Sequence, residues 1–174
     1  EQNLTSCAMI LVNHIKNGEF EPIECELTFG MGDKVSAVMV DLTSGKKLKI
    51  HGKIDRVDKC EAEDGTYFRV IDYKSGSKDF NLGRVFSGLD LQLSVYLMAV
   101  TDDDKKKKAG MLYFKIAERL QDAKKCISKE EAFSSLEEKM RLDGLVTDDK
   151  KVLSMMDKTG DLKSKIIPVS FTKD

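Results

Sequence analysis

Asp55, Asp72 and Lys74 are the residues of this chain whose types and spacing are suited to chemistry. They lie in one stretch, Gly52 to Gly76 (GKIDRVDKCEAEDGTYFRVIDYKSG), which reads as two apolar-patterned strands joined across Asp64-Gly65, a dipeptide that favours a tight hairpin turn. The first strand, Lys47 to Cys60, carries Asp55. The second, Thr66 to Lys74, ends in Ile71-Asp72-Tyr73-Lys74. Pairing of the two brings Asp55 and Asp72 together at one end of the sheet, where two carboxylates repel each other unless a cation sits between them. Strand side chains alternate with a period of two, so Lys74 shares the face of Asp72. Two acids and an ammonium on one sheet edge suggest a Mg²⁺ site, with Mn²⁺ also suitable, that polarises a phosphodiester and activates a water. A blander reading makes both aspartates strand-end caps that point apart.

The surrounding elements must position this hairpin. Thr5-Ser6 reads as the cap of a helix over Cys7 to Lys16, and Asn17-Gly18 as its stop. His14 lies on that helix; it is read as an exposed or half-buried histidine, with a metal ligand as the alternative. Ile23 to Phe29 alternates as a first strand and Val35 to Leu42 as a second, so four strands in series favour an antiparallel meander. Ser75 to Gly83 reads as a polar loop. Leu89 to Val100 (LDLQLSVYLMAV) reads as a largely buried helix interrupted by Gln92 and Tyr96, which the i,i+4 spacing puts on one face. They read either as a buried tyrosine with its hydroxyl satisfied and a glutamine at the helix rim, or as a polar pair aimed at the active edge of the sheet; their place just after Asp72-Tyr73-Lys74 favours the second. Ala109 to Ile116 is a further strand, and the helix before it implies a crossover to a parallel partner. In the tail, Ser128 to Glu131 is a capping-box pattern for a helix to Leu142, Thr147 caps another over Asp148 to Asp157, and Ile166 to Phe171 is a last strand.

Composition narrows the class. The chain has 174 residues, 41% hydrophobic and 34% charged, which suits one domain spanning 1–174 with a real core. A net charge of −1 gives no overall basic signature, so nucleic-acid contact must come from a local patch or a partner. The lysines of Thr101 to Lys108 (TDDDKKKK) are largely cancelled by the aspartates before them. Cys7, Cys25, Cys60 and Cys126 form no C-x-x-C pair, which argues against a metal cluster or disulfide framework and fits a reducing cytoplasm. No apolar run reaches membrane-spanning length, so no membrane partner is expected. The first residue is Glu1, which reads as a piece of a larger protein.

An acid-x-Lys triplet alone carries little, since Asp148-Asp149-Lys150, Asp161-Leu162-Lys163 and Glu137-Glu138-Lys139 also occur in charged segments. Asp72-Tyr73-Lys74 differs in ending an apolar strand beside a second aspartate. Taken in order, Gly52-x-Ile54-Asp55-Arg56-Val57-Asp58, Asp72-Tyr73-Lys74-Ser75-Gly76 and Gln92-x-x-x-Tyr96 resemble the RecB-family branch of the PD-(D/E)xK nucleases. Glu26 to Gly30, Ala109 to Phe114 and Leu142 to Leu145 are similar to the AddB-type nuclease domains within that family.

The resemblance implies a restriction-endonuclease-like α/β fold, a mixed central sheet flanked by helices. It implies Asp55 and Asp72 as metal ligands, with the Tyr73 backbone carbonyl completing the shell. Lys74 would orient or deprotonate the attacking water, and Gln92 and Tyr96 would position DNA or support the site. Arg56 and Asp58 match the family's strand and are given supporting roles only, although Asp58 also reads as an exposed strand carboxylate on the opposite side. His14 lacks the family's glycine four residues before it, where Ile10 stands, and is a weak ligand candidate, as is Glu26. The family's longer chains hold an iron–sulfur cluster on four bracketing cysteines; the cysteines here do not match, and no cluster is expected. The implied activity is Mg²⁺-dependent hydrolysis of unwound single-stranded DNA beside an AddA-type helicase–nuclease subunit, on the 5′-ended strand. The rival is a nuclease-like fold that no longer cuts and serves as a DNA-guiding or subunit-docking module.

Overall fold

The candidate residues sit on a hairpin of β4 (Gly52–Ala62) and β5 (Gly65–Lys74). The computed structural model describes residues 2–32, 35–76, 78–116 and 128–171. Their contacts gather into two compact units: Glu1–Phe20, Tyr73–Phe80 and Tyr113–Asp174 in one, Glu21–Asp72 and Asn81–Leu112 in the other. The hydrogen-bonded strand order of the main sheet is β1-β4-β5-β6-β7, a mixed sheet accompanied by helices, as expected.

In the hairpin-bearing unit, β1 (Glu21–Phe29) pairs antiparallel with β4, and β4 with β5. The hairpin turn is Glu63-Asp64, one residue earlier than expected, because Gly65 (φ 141) already pairs with Ala62. The four-strand meander does not form. The stretch expected as one strand from Lys47 breaks at His51, and β2 (Val38–Asp41) pairs with β3 (Lys47–Ile50) as a separate sheet. The cause is the neck of this side hairpin. Gly30 turns with φ 89, its N–H bonds Val35 O at 3.0 Å, and a Cβ on it would stand 2.8 Å from that of His51. With the side hairpin folded away, β1 is free to pair with β4.

After the hairpin comes α2 (Leu82–Phe86), capped by Asn81, in a stretch expected to be loop. It buries none of its residues, so it leaves no apolar period to read. Helix α3 (Gln92–Val100) starts later than expected. It buries Leu93, Leu97, Ala99 and Val100, but Met98 is exposed, so only one side is covered. Strand β6 (Lys106–Lys115) follows. Gly65 lies beside Lys105 and Lys107 at the strand starts, while Ile116 N–H donates to Lys74 O (2.9 Å) at the ends. Start-to-start and end-to-end contact makes β5 and β6 parallel, the expected product of a helical crossover.

In the other unit, α1 (Gln2–Lys16) begins before the expected cap, leaving Thr5 and Ser6 inside the helix. Its stop is tight: a Cβ on Gly18 would lie 2.8 Å from the carbonyl oxygen of Met156. Helix α4 (Lys129–Lys139) carries the expected capping box between Ser128 and Glu131. Asp149, not Thr147, caps α5 (Lys150–Met156) by accepting from Lys151 and Val152 N–H. β7 is Asp143–Val146, and the strand expected over Ile166 to Phe171 is absent. There the Ser164 hydroxyl accepts from Ile166 and Ile167 N–H and donates to buried Asp157, which turns the chain instead of extending it.

Candidate active site

The β4–β5 ladder runs from Ala62↔Gly65 to Arg56↔Ile71. Continued one step past that last pair, the register would set Asp55 level with Asp72, and the alternation along each strand puts both on one face. Asp72 is 2% exposed and Asp55 half-buried. Burial makes their mutual repulsion costly, because water screens it little.

Lys74 follows Asp72 by one strand period. Its ammonium lies 5.4 Å from the centre of the Tyr113 ring, and that of Lys78 lies 5.3 Å from the same ring. Tyr113 is 2% exposed, so its negative face offers a fixed seat for the charge. Sequence reasoning missed Tyr113. The parallel register of β5 and β6 would have indicated it, had it been known. Nearby, Lys115 bonds Asp79 and Asp143, and Phe80 N–H donates to Asp143 at 2.9 Å, tying down the loop after β5.

His14 is 4% exposed, so the expectation of an exposed or half-buried helical histidine is corrected. It packs edge-on to Phe114 at 6.1 Å, and Phe114 packs edge-on to Tyr73 at 5.8 Å. The apolar stripe of α1 turns this residue inward with Ile10, four positions earlier. Together with Asn13, Glu137, Asp161 and Lys165, His14 lines a polar cavity of about 170 Å³.

Glu26 stands level with Asp55 on the other side of β4. Pairing passes from Cys25↔Arg56 to Leu27↔Ile54, and between them Glu26 takes a left-handed conformation (φ 57). Its carboxylate ion-pairs with Lys53, whose ammonium it holds above the usual lysine range, with a smaller contribution from Asp55.

Gln92 is exposed and donates through Nε2 to the Tyr96 hydroxyl at 2.9 Å. The Tyr96 ring meets Phe29 edge-on at 6.1 Å. Both rings press on Gly52, where a Cβ would stand 3.0 Å from Phe29 and 3.7 Å from Tyr96. The Gln-Tyr pair thus braces the start of β4, three residues ahead of Asp55.

Arg56 and Asp58 face the other way. Asp58 is fully buried, not an exposed strand carboxylate. It accepts from Arg56 Nε at 2.6 Å and Nη2 at 2.8 Å, and from Arg69 Nε at 2.9 Å. Arg69 is level with Asp58 in the ladder, and burial pushes its pKa down against the pull of Asp58. Arg56, 4% exposed and held by Asp58, is placed to support the hairpin from behind rather than to present its guanidinium at the surface.

The donor set suits a hard divalent cation. Asp55 and Asp72 offer carboxylate oxygens and Tyr73 a backbone carbonyl. Among the described residues no group of three or more His, Cys, Asp or Glu gathers into a metal cage. Mg²⁺ needs none, since it keeps several waters and binds through one or two carboxylates plus substrate phosphates.

Residues 4–159 match the family model of the PD-(D/E)XK nuclease superfamily. The chain is 42% identical over 177 residues to the ATP-dependent helicase/deoxyribonuclease B-subunit of Clostridium tetani, covering 98% of this chain and 15% of that protein. The like-named protein of Clostridium novyi is 37% identical over 177 residues, covering 98% and 16%. That of Acetivibrio thermocellus is 38% identical over 171 residues, covering 95% and 15%. The chain thus spans about a sixth of the length of the curated relatives it matches. With two opposed aspartates and a strand-end lysine on the hairpin where the family model applies, this chain belongs to the PD-(D/E)XK nuclease superfamily.

Proposed function

We propose that the chain is a single metal-dependent deoxyribonuclease domain that hydrolyses unwound single-stranded DNA exonucleolytically. It would work beside an AddA-type partner in the processing of double-strand breaks for recombination. The observation that carries this reading is the β4–β5 register, which ends at Arg56↔Ile71 and, continued by one residue, would set Asp55 level with Asp72, with Lys74 one strand period on. The relatives' name, as the B-subunit of a helicase/deoxyribonuclease, supports the substrate and the partner.

Asp55, Asp72 and the Tyr73 carbonyl would hold Mg²⁺ or Mn²⁺, which supplies Lewis-acid polarisation of the phosphate and a more acidic bound water. Asp72, buried, fixes its carboxylate in one direction; Asp55, half-buried, reaches it from the adjoining strand. Lys74, seated against Tyr113, orients the attacking water and offsets negative charge as it grows on the phosphoryl oxygens. Gln92 and Tyr96 hold the start of β4 so that Asp55 keeps its place, and Gln92 is exposed enough to meet the strand being cut.

The test is strand degradation by the intact helicase–nuclease complex on DNA ends, with Mg²⁺ present, comparing wild type with Asp72→Ala. Loss of degradation with unwinding retained is expected. Unchanged degradation would make the domain a guiding or docking module. Calorimetric titration with Mn²⁺ should show binding heat that disappears in Asp55→Ala.

A further inference from the structure

The acids of this site have a cationic neighbour on their own strand. Lys53 lies two positions before Asp55 on β4, and fully buried Ile54 between them fixes Lys53 and Asp55 to the opposite face. The Lys53 side chain is 53% exposed. Its partner Glu26 stands level with Asp55 across the β1–β4 ladder. Glu26 is also the one non-glycine residue with positive φ among the described residues.

This arrangement is hard to account for as stabilisation. An exposed ion pair contributes little, and a left-handed conformation in mid-strand is unfavourable for a residue with a Cβ. Backbone strain of this kind persists where a side chain has to be aimed. Here it aims a carboxylate at an ammonium that could otherwise swing away into solvent. The local charge adds a second argument. Glu26, Asp55 and Asp72 present three carboxylates across adjoining strands, a field that repels nucleic acid. A cation between the aspartates cancels part of it, and a lysine on the same face serves the phosphate beside the one being cut. Lysine acts on phosphate as a point charge and needs no fixed fork geometry.

We propose that Lys53 is a DNA-phosphate-binding residue, and that Glu26 is a positioning residue which holds the ammonium beside Asp55 until a phosphate displaces the carboxylate. The proposal rests on the nuclease reading above and extends it to a second phosphate.

The test is equilibrium binding of the protein to a fluorescent single-stranded oligonucleotide in Ca²⁺, across a salt series, with cleavage in Mg²⁺ measured in parallel. Lys53→Ala should weaken binding about fivefold and reduce the slope of log K against log salt by about 0.7, the release expected for one phosphate contact on a single strand. Lys53→Arg should restore both. Glu26→Gln should tighten binding about twofold, since the phosphate no longer competes with a carboxylate. A slope unchanged in Lys53→Ala, in a wild-type protein that binds and cuts, overturns the role of Lys53 and leaves the nuclease reading standing. Weaker binding in Glu26→Gln, with a higher Ca²⁺ requirement, overturns the role of Glu26 by making it an ion ligand. Failure of the wild type to bind single strands at any salt overturns both proposals together.

Discussion

Asp55 and Asp58 stand three residues apart on β4, and the fold treats them in opposite ways. Asp58 is fully buried and meets two guanidiniums within 2.9 Å. Asp55 is half-buried and shares its face of the hairpin with another carboxylate, that of Asp72. One negative charge is compensated by guanidiniums inside the protein; the other is set level with a like charge. Carboxylates on one face of adjoining strands at the edge of a well-packed sheet are the kind of arrangement that functional sites favour over stability.

The largest effect should separate the two sides. Asp72→Asn is expected to reduce DNA cleavage about 10³-fold, the scale of losing a group that positions the reacting parts. It should leave the melting temperature equal or higher, because it relieves the repulsion with Asp55. Cleavage and thermal unfolding measured on one preparation check this. A variant that cuts normally, or that melts well below wild type, would erase the contrast with Asp58.

Asp58→Asn should do the reverse. Removing one partner of a buried ion pair leaves the rest uncompensated and costs roughly 3–5 kcal/mol. Denaturant unfolding should show that loss, with residual cleavage per folded molecule close to wild type. The combined Arg56→Met, Asp58→Leu, Arg69→Leu variant should recover most of the stability, since apolar replacement of a whole buried cluster is often neutral or better. If it cuts poorly although folded, the triad also aims the hairpin, and the division between the two aspartates is less sharp.

Lys74 extends the contrast to cations. Arg56 and Arg69 are held by a carboxylate, and the Lys74 ammonium lies over the Tyr113 ring. A cation–π contact is worth about 0.5–2 kcal/mol, so Tyr113→Leu should slow turnover by roughly tenfold at saturating DNA with little change in KM. Tyr113→Phe keeps the ring face and should stay near wild type. Equal loss in both variants would assign the effect to the hydroxyl or to packing.

Much of this was legible in the residues, and the limits have physical causes. Alternation was enough to put Asp55, Asp72 and Lys74 on one face, but the turn expected at Asp64-Gly65 would have paired Asp55 with Lys74; the observed turn one residue earlier sets the register that pairs Asp58 with Arg69. Alternation alone does not say that both faces of β4 are covered, so Asp58 was expected at the surface. The side hairpin β2–β3 was not readable, because the break at His51 depends on its packing against Gly30. Tyr113 depends on a parallel register set by a helical crossover, which no local pattern encodes. The expectation at Cys126 lies outside the described residues.

The smallest effect concerns the aspartate at the hairpin turn, which stands between Asp55 and Asp58 in character. Asp64, at the turn, bonds the Lys107 ammonium at 2.5 Å and the Tyr67 hydroxyl at 2.8 Å. Lys107 first and then Tyr67 hold its pKa down at about 2. An unfolded aspartate titrates near ~3.9, so between about pH 4 and pH 2 the unfolded chain takes up a proton at this position that the folded chain refuses. The stabilisation is complete above pH 4 and disappears as the pH falls through 2. Asp64→Asn should therefore flatten the acid-unfolding profile in that window and change little at pH 7, because the pair is half-exposed and screened. Raising the salt to about 1 M should shrink the difference further. The small difference should hold as a plateau above about pH 4 and close as the pH falls toward 2; a difference that still changes with pH well above pH 5 would trace it to another group, and Asp64 would then lose its intermediate place between a charge compensated in the interior and one set against its like.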